Sequence, residues 1–313
     1  MLTNKLPTVS IGIPAYNEEA NIKKLLQAIL KQKEDGFTLE KIIVASDGSA
    51  DGTVELARSI KDDRIKVIDN KERKGAITRE NDILDISNSD ILVMLDADNL
   101  PNGAMFLAHI IKPFAEDNTI GIVSAKTIPI PPKTYFERIL YFSRKMTTEI
   151  FENINHGNNP YLCAGSARAF QKSFYSQFRW NETICEDVFS YLACLSSGFK
   201  FMYTPDAVSF YKLPSSIKDH LHQSIRYAGC RKRMKILFNK KGYPPNFVID
   251  NLKIPFGLKV RKTVKYAFKN CILFFLYTLV LIFARIKSIT RKNLDSRWEM
   301  AHSTKNLGMN TEI

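Results

Sequence analysis

The sequence predicts an α/β fold: a mostly parallel sheet flanked by helices, followed by a basic, helical C-terminal region. Three observations carry this expectation. Short apolar runs suited to strands alternate with 3.6-period apolar patterns over residues 8–125. The polar residues suited to chemistry lie where those strands end. The charge is also divided: residues 1–211 hold 24 Lys and Arg against 27 Asp and Glu, a net of −3, whereas residues 212–313 hold 21 against 5, a net of +16.

Val9-Ser-Ile-Gly-Ile13 is a strand pattern closed by Pro14. Asn17 is placed to cap the next helix, with Glu18 and Glu19 in its first turn. Ile22, Leu25, Leu26, Ile29 and Leu30 give that helix an apolar face. A second strand, Ile42–Ala45, runs into the turn sequence Asp47-Gly-Ser-Ala-Asp-Gly52. A helix over 53–60, a strand over 65–68, a helix over 76–86, a strand over 91–95, a helix over 102–114 and a strand over 121–124 follow. Such alternation favours parallel pairing with helical crossovers. Ligands of these sheets bind beyond the carboxyl ends of strands, where Asn17, Asp47, Asp96 and Asp98 all fall. Ile128-Pro-Ile-Pro-Pro132 reads as a linker into an amphipathic helix, Tyr135–Phe151.

Composition narrows the chemistry. Five cysteines (Cys163, Cys185, Cys194, Cys230, Cys271) with no CxxC spacing speak against a disulfide scaffold and a structural zinc site. Neither GxGxxG, GxxxxGK[ST] nor HExxH occurs. His220 and His222 are closely spaced, but i,i+2 residues on a helix do not share a face. A formal charge of +13 admits nucleic acid, anionic membrane or a phosphate-bearing substrate as partner. Its confinement to the last third argues against nucleic acid: Arg231-Lys-Arg-Met-Lys235 stands without any recognised nucleic-acid motif.

Four constellations remain. In Leu95-Asp-Ala-Asp-Asn99, two carboxylates after an apolar strand are costly without a positive partner, and their oxygens suit Mg²⁺ or Mn²⁺ bridging to phosphates. The plain alternative is an Asp-rich turn capping the next helix. Asp47 follows a strand and is placed to accept a hydrogen bond from a base or ribose; the alternative is an Asx-turn, with Asp51 as cap. Glu186-Asp187 supplies a general base or ordinary first-turn acids. Gln223-Ser-Ile-Arg-Tyr227 offers Arg226 to a phosphate and Tyr227 to a sugar ring, or is a solvated basic helix.

Together these residues resemble one family. Pro14-Ala-Tyr-Asn-Glu-Glu19, Asp47-Gly-Ser-x-Asp-Gly-Thr53, Lys74-Gly75, Asp96-Ala-Asp98, Glu186-Asp187 and Gln223-x-x-Arg-Tyr227 look like the ordered motifs of family 2 glycosyltransferases with the GT-A fold. The resemblance covers about residues 8–235. The last motif is similar to the QxxRW of cellulose, hyaluronan and chitin synthase-like members, with Tyr227 in place of Trp. It implies an inverting transfer from a nucleotide-sugar donor to a hydroxyl of a lipid-linked or saccharide acceptor. By the same resemblance, Pro14, Tyr16, Asn17 and Glu18 line the nucleotide pocket, Asp47 bonds the base, and Lys74 lies near base or diphosphate. Asp96 contacts ribose or metal, Asp98 is the main ligand of Mg²⁺ or Mn²⁺, and Gln223, Arg226 and Tyr227 attend the diphosphate and sugar. Asp187, with Glu186 beside it, is the implied base. Gly165 is implied to allow close backbone approach near the acceptor. Tyr227 and the single short apolar segment favour one-sugar transfer over processive polymer synthesis. A silent scaffold of the same fold is disfavoured by the intact Asp98 and Asp187.

The expected organisation is a catalytic domain over 1–235 and a basic membrane-associated region over 236–313. Met1–Pro7 has no apolar core of a signal peptide, which predicts a cytoplasmic catalytic domain. Residues 270–284 form an uncharged apolar helix of about 22 Å, short of a ~30 Å hydrocarbon core. Basic residues flank both ends, so both ends favour the cytoplasmic side of an anionic membrane. An in-plane or re-entrant helix, a single span and a buried core helix all remain open at this level.

Overall fold

The computed structural model describes residues 5–180, 185–227, 230–244, 246–290 and 302–308; the side chains of 225–227, 231, 287–290 and 302 lie outside the description. The alternation anticipated over the first 125 residues is present. Strands β1 (Thr8–Ala15), β2 (Thr38–Asp47), β3 (Ile65–Asn70) and β4 (Ile91–Leu95) interleave with helices α1 (Ile22–Leu30), α2 (Thr53–Arg58) and α3 (Ala76–Ile86). These four strands pair in parallel in the order β3-β2-β1-β4. After β5 (Leu100–Pro101) and α4 (Phe106–Glu116) come β6 (Ile120–Pro129), the long α5 (Tyr135–Glu152), β7 (Ala167–Gln171), the short α6 (Lys172–Tyr175), α7 (Glu186–Ser196) and β8 (Lys200–Tyr211).

The sheet is mixed rather than mostly parallel. Its order continues β4-β7-β6-β8-β5, and β7 runs antiparallel to both β4 and β6. The chain leaves β6 through α5 and re-enters the sheet at the same end, so β7 starts where β4 finishes: Ala167 pairs with Leu95. Residues 163–168 thereby join the carboxyl ends of β1 and β4 at one edge of the sheet.

Period-2 alternation divides the core. Ile11, Ile13, Val93, Leu95 and Ala169 face α1 and α4. Ile43, Leu92, Met94 and Phe170 face α3, α6 and α7 on the other side. Three local departures from the sequence reading have clear causes. Helix α4 begins at Phe106 rather than Asn102, because Leu100 and Pro101 pair with Phe210 and Ser209 of β8. Ile128 and Pro129 belong to β6, paired with Phe210 and Tyr211, rather than to a linker. Asn17 does not cap α1: it sits at φ 52, and the helix starts after Asn21. The cap of α5 is fully formed, with Glu137 N donating to Thr134 Oγ1 at 3.1 Å and Thr134 N to Glu137 Oε2 at 2.8 Å.

The C-terminal part consists of α8 (Ile217–Tyr227), α9 (Cys230–Lys240), α10 (Phe247–Asn251), α11 (Phe256–Lys269) and α12 (Cys271–Thr290). Met234, Phe238, Val248 and Leu252 are buried with α7 in the same cluster as the sheet. The anticipated boundary at 235/236 lies inside α9, whose apolar side is buried in the same cluster as the sheet. Helices α11 and α12 pack on α5 through Met146, Ile150, Tyr266, Phe274 and Tyr277. Lys262 and Lys265 both donate to Glu149 Oε1, at 2.6 and 2.7 Å, and hold its carboxyl down to about 2. The apolar segment of 270–284 lies within α12. Among the described residues no helix is long and apolar enough to cross a membrane.

One glycine sets how closely helix and sheet meet. A Cβ on Gly12 of β1 would lie 2.4 Å from Ile83 Cγ2 and 2.6 Å from Met94 Sδ. Replacing Gly12 by Ala is expected to push α3 off β1 and cost about 1–3 kcal/mol, read as a lower urea midpoint at unchanged m-value.

Candidate active site

The carboxyl ends of β1, β2 and β4 meet the amino end of β7 in one acidic depression. Two loops build one side of it. Asn17 N donates to Ser49 Oγ at 3.1 Å, and Ala50 N donates to Asn17 Oδ1 at 2.9 Å. Glu18 N donates to Thr53 Oγ1 at 2.7 Å, Glu19 N to Asp51 Oδ2 at 3.2 Å, and Gly52 N to Glu19 Oε2 at 3.0 Å. The left-handed backbone at Asn17 is the bend that makes this cross-tie reach. Pro14 is the penultimate residue of β1, and the ring of Tyr16 lies 4.1 Å beneath the Arg73 guanidinium.

Asp47 is spent on the chain itself. Buried at the end of β2, it accepts from Lys74 N and Gly75 N, both at 2.8 Å, and from Arg79 Nε at 3.0 Å. It therefore fixes the β3–α3 loop, where Gly75 sits at φ 98. For Lys74 the structure uses the main-chain N–H; its ammonium pairs with Glu72 at 3.6 Å on the surface. Asp51 makes the anticipated Asx-turn, accepting from Thr53 N at 3.1 Å.

The acidic side is gathered from four elements. Asp96 and Asp98 follow β4, and Asp96 N donates to Ser166 O at 3.0 Å, which ties this turn to the start of β7. Asp96 is pushed up to about 7 by burial, then by Asp98 and Glu186, against the pull of Arg168 and Lys305. Glu18 is also pushed up to about 7, by burial and then Asp98, with Lys305 and Asn21 opposing. Glu186 and Asp187 occupy the first turn of α7. Gly165 explains how closely Asp187 approaches: a Cβ there would lie 2.2 Å from Asp187 Oδ1. Among the described residues no three His, Cys, Asp or Glu side chains form a preformed metal cage.

Three of the residues assembled here were not singled out in the sequence. Glu80 lies on the buried side of α3, its carboxyl driven well above the usual range by burial, with Arg168 opposing and Glu186, Asp96 and Asp187 adding. Arg168 is buried in β7. A lone charge in Ala167-Arg-Ala-Phe170 is a signal that strand periodicity treats as noise. Lys305 arrives from the far C-terminus, where its ammonium meets Glu18 Oε1 and lies 3.2 Å from Tyr16 O. Asn21 anchors this segment: its Nδ2 donates to Lys305 O at 2.6 Å, and its Oδ1 accepts from Leu307 N at 3.2 Å. Ser303 N donates to Asp219 Oδ2 on α8 at 3.0 Å. Gln223 is half-buried one turn further along α8, while the side chains of Arg226 and Tyr227 lie outside the described residues.

A mixed α/β sheet with paired acids at the strand ends is the arrangement of the GT-A glycosyltransferases. The Glycosyl transferase family 2 model matches residues 10–178, and the chain belongs to that family. Glycosyltransferase AglE of Haloferax volcanii is 36% identical over 103 residues, 32% of this chain and 34% of AglE. Probable glycosyltransferase YdaM of Bacillus subtilis is 27% identical over 237 residues, 72% of this chain and 55% of YdaM. This chain thus spans about a third and about half of those two relatives. Among solved structures, the mannosyltransferase PcManGT of Pyrobaculum calidifontis, in complex with GDP-Man and Mn²⁺, superposes with a TM-score of 0.57 at 19% identity, covering 94% of this chain and 78% of that one.

The raised carboxyls give a pH signature. The folded protein favours the protonated forms of Asp96 and Glu18, whose ordinary values are 3.8 and 4.5. Their stabilisation is full below those values and is lost as pH rises through about 7. Asp96→Asn, which cannot ionise, is expected to melt several degrees above the wild type at pH 8 without ligand, the gap closing towards pH 5. Differential scanning fluorimetry across that range measures it.

Proposed function

We propose that this glycosyltransferase transfers one sugar from a nucleoside-diphosphate donor to a hydroxyl of a saccharide or lipid-linked acceptor, with inversion, at the cytoplasmic face of a membrane. The observation that carries this reading is the facing pair of acidic groups: Asp96 and Asp98 beyond β4, and Asp187 at the start of α7 over Gly165. One group suits a metal-bound diphosphate; the other suits proton removal.

The donor set fits a divalent cation. Asp96 and Asp98 are hard oxygen ligands that repel one another and Glu18 in a buried setting, as the raised Asp96 and Glu18 carboxyls attest. Asp96 and Asp98 would hold such an ion together with phosphate oxygens of the donor, a mode usual for Mg²⁺ and open to Mn²⁺. When bound, such an ion offsets charge developing on the departing nucleoside diphosphate. The GDP-Man and Mn²⁺ of PcManGT support the donor class. Tyr16, Asn17 and Glu18 edge the nucleotide pocket, and Asp47 shapes it through the loop it holds. Gln223, Arg226 and Tyr227 of α8 attend the diphosphate and sugar. Asp187, aided by Glu186, takes the proton of the acceptor hydroxyl as that oxygen attacks the anomeric carbon. The leaving group departs from the opposite face, so a single displacement inverts the centre. The protein's task is positioning and charge placement.

Membrane association rests on α11 and α12. Phe256, Phe268, Ile272, Phe275 and Ile282 are exposed beside Lys259, Lys265 and Lys269. An apolar face rimmed by lysines suits anionic headgroups above acyl chains.

A panel of nucleotide sugars with Mn²⁺ or Mg²⁺, scored for nucleoside diphosphate release with and without a lipid extract, tests the activity. A single added sugar is expected, and a polymer ladder would favour a processive enzyme. Asp187→Asn is expected to lower transfer about 10²–10⁴-fold while donor affinity stays within about twofold of wild type. Asp98→Ala is expected to abolish metal-dependent nucleotide binding in calorimetry. Flotation with vesicles containing phosphatidylserine, lost at high salt or in neutral vesicles, is the expected membrane result.

A further inference from the structure

Beneath the acidic depression lies one guanidinium with no solvent access. Arg168 is 0% exposed, on a strand whose neighbours there are Met94 of β4 and Ser124 of β6. A buried charge of this kind costs several kcal/mol unless paired, so its partners define its role. From α3, Glu80 Oε1 lies 3.5 Å from Nη2. From α7, Ser190 Oγ accepts from Nη1 at 2.8 Å, and Asp187 Oδ1 lies 3.6 Å from Nη1. The Ser190 hydroxyl in turn donates to the main-chain O of Asp187 at 2.9 Å. The rings of Trp180 and Phe170 flank the guanidinium, their centroids 5.0 and 5.5 Å from Cζ.

Arg168 thus grips the start of α7 twice, by the Asp187 carboxylate directly and by its main chain through Ser190. Gly165 leaves room for the grip: the position its Cβ would take is 2.2 Å from Asp187 Oδ1 and 3.7 Å from Arg168 Nη2. Asp187 therefore leans inward over a bare Cα, its Oδ1 buried while the side chain keeps 20% exposure. Glu80, on the far side, holds the guanidinium at a fixed depth in the sheet.

We propose that Arg168 is the positioning residue of the transfer reaction: anchored by Glu80, it holds the Asp187 carboxylate inward over Gly165 in the orientation that meets the acceptor hydroxyl. This rests on Asp187 being the base. A guanidinium suits the task because its planar fork addresses two partners at once, which an ammonium does not. Displacing a reacting group by about 1 Å costs on the order of 10²-fold in rate, so this grip bears on turnover and leaves the donor side, built by β1 and β2, alone.

The test replaces the charged pair together, because removing one partner strands the other. Arg168→Met with Glu80→Met is expected to keep the wild-type circular dichroism spectrum and a nucleoside diphosphate Kd within about twofold, while kcat falls about 10²-fold. Arg168→Lys is expected to recover about tenfold of that loss. Glu80→Gln and Gly165→Ala, milder changes at either end of the grip, are each expected to lower kcat about tenfold at unchanged nucleotide Kd. The inference is overturned if the folded double variant turns over within threefold of wild type, or if kcat and nucleotide affinity fall together in Arg168→Lys and Glu80→Gln. Full turnover in Asp187→Asn would sink the base assignment itself; a dead Asp187→Asn beside fully active Arg168 variants would sink only the positioning role.

Discussion

The site depends on how a cluster of carboxylates is held at the buried end of a sheet. Glu80, Asp96, Glu186 and Asp187 all bear on Arg168, the buried guanidinium of β7. Burial opposes its charge, yet these acids keep it protonated. Like charges gathered in a low-dielectric setting repel strongly. A cation that cannot leave offsets that repulsion from within the sheet. The antiparallel insertion of β7 between β4 and β6 is the topological device that delivers it.

Around this charge balance the two halves of the site are built by different means. On one side, main-chain N–H groups and short side chains cross-link the loops after β1 and β2, and Asp47 closes the loop before α3. These bonds join segments about 30 residues apart. On the other side, α7 carries its acids in its first turn, where the helix N-terminus also favours negative charge. Arg168 and Gly165 set how far those acids lean in. The C-terminal segment adds a further cation, Lys305, beside Glu18 just beyond β1.

The basic C-terminal region is joined to the catalytic core rather than appended to it. Phe238 and Val248 are buried with α7, and the lysines of α11 reach back to Glu149 of α5. Among the described residues, Lys259, Lys262, Lys265 and Lys269 of that basic region lie on α11, packed on α5, with apolar side chains exposed on α11 and α12.

Much of this was legible in the sequence for a simple reason. Strands and helices that bury one face announce their period: β4 and α3 occupy the residues that the apolar pattern marks, and the acids after β4 and at the start of α7 are visible as charges that interrupt apolar runs. What the sequence did not contain was the partner of each charge. The direction of β7, the burial of Arg168 between strands distant in sequence, the use of Asp47 to hold a loop and the arrival of Lys305 from nearly 290 residues away are long-range pairings with no local signature. The displaced start of α4 and the left-handed turn at Asn17 have the same origin, since each is imposed by a hydrogen bond to a segment elsewhere in the chain. Local periodicity and residue chemistry determined the elements and the class of site by themselves. The tertiary structure decided which acid faces which cation, because electrostatic pairing depends on distance in space, and distance along the chain says little about it.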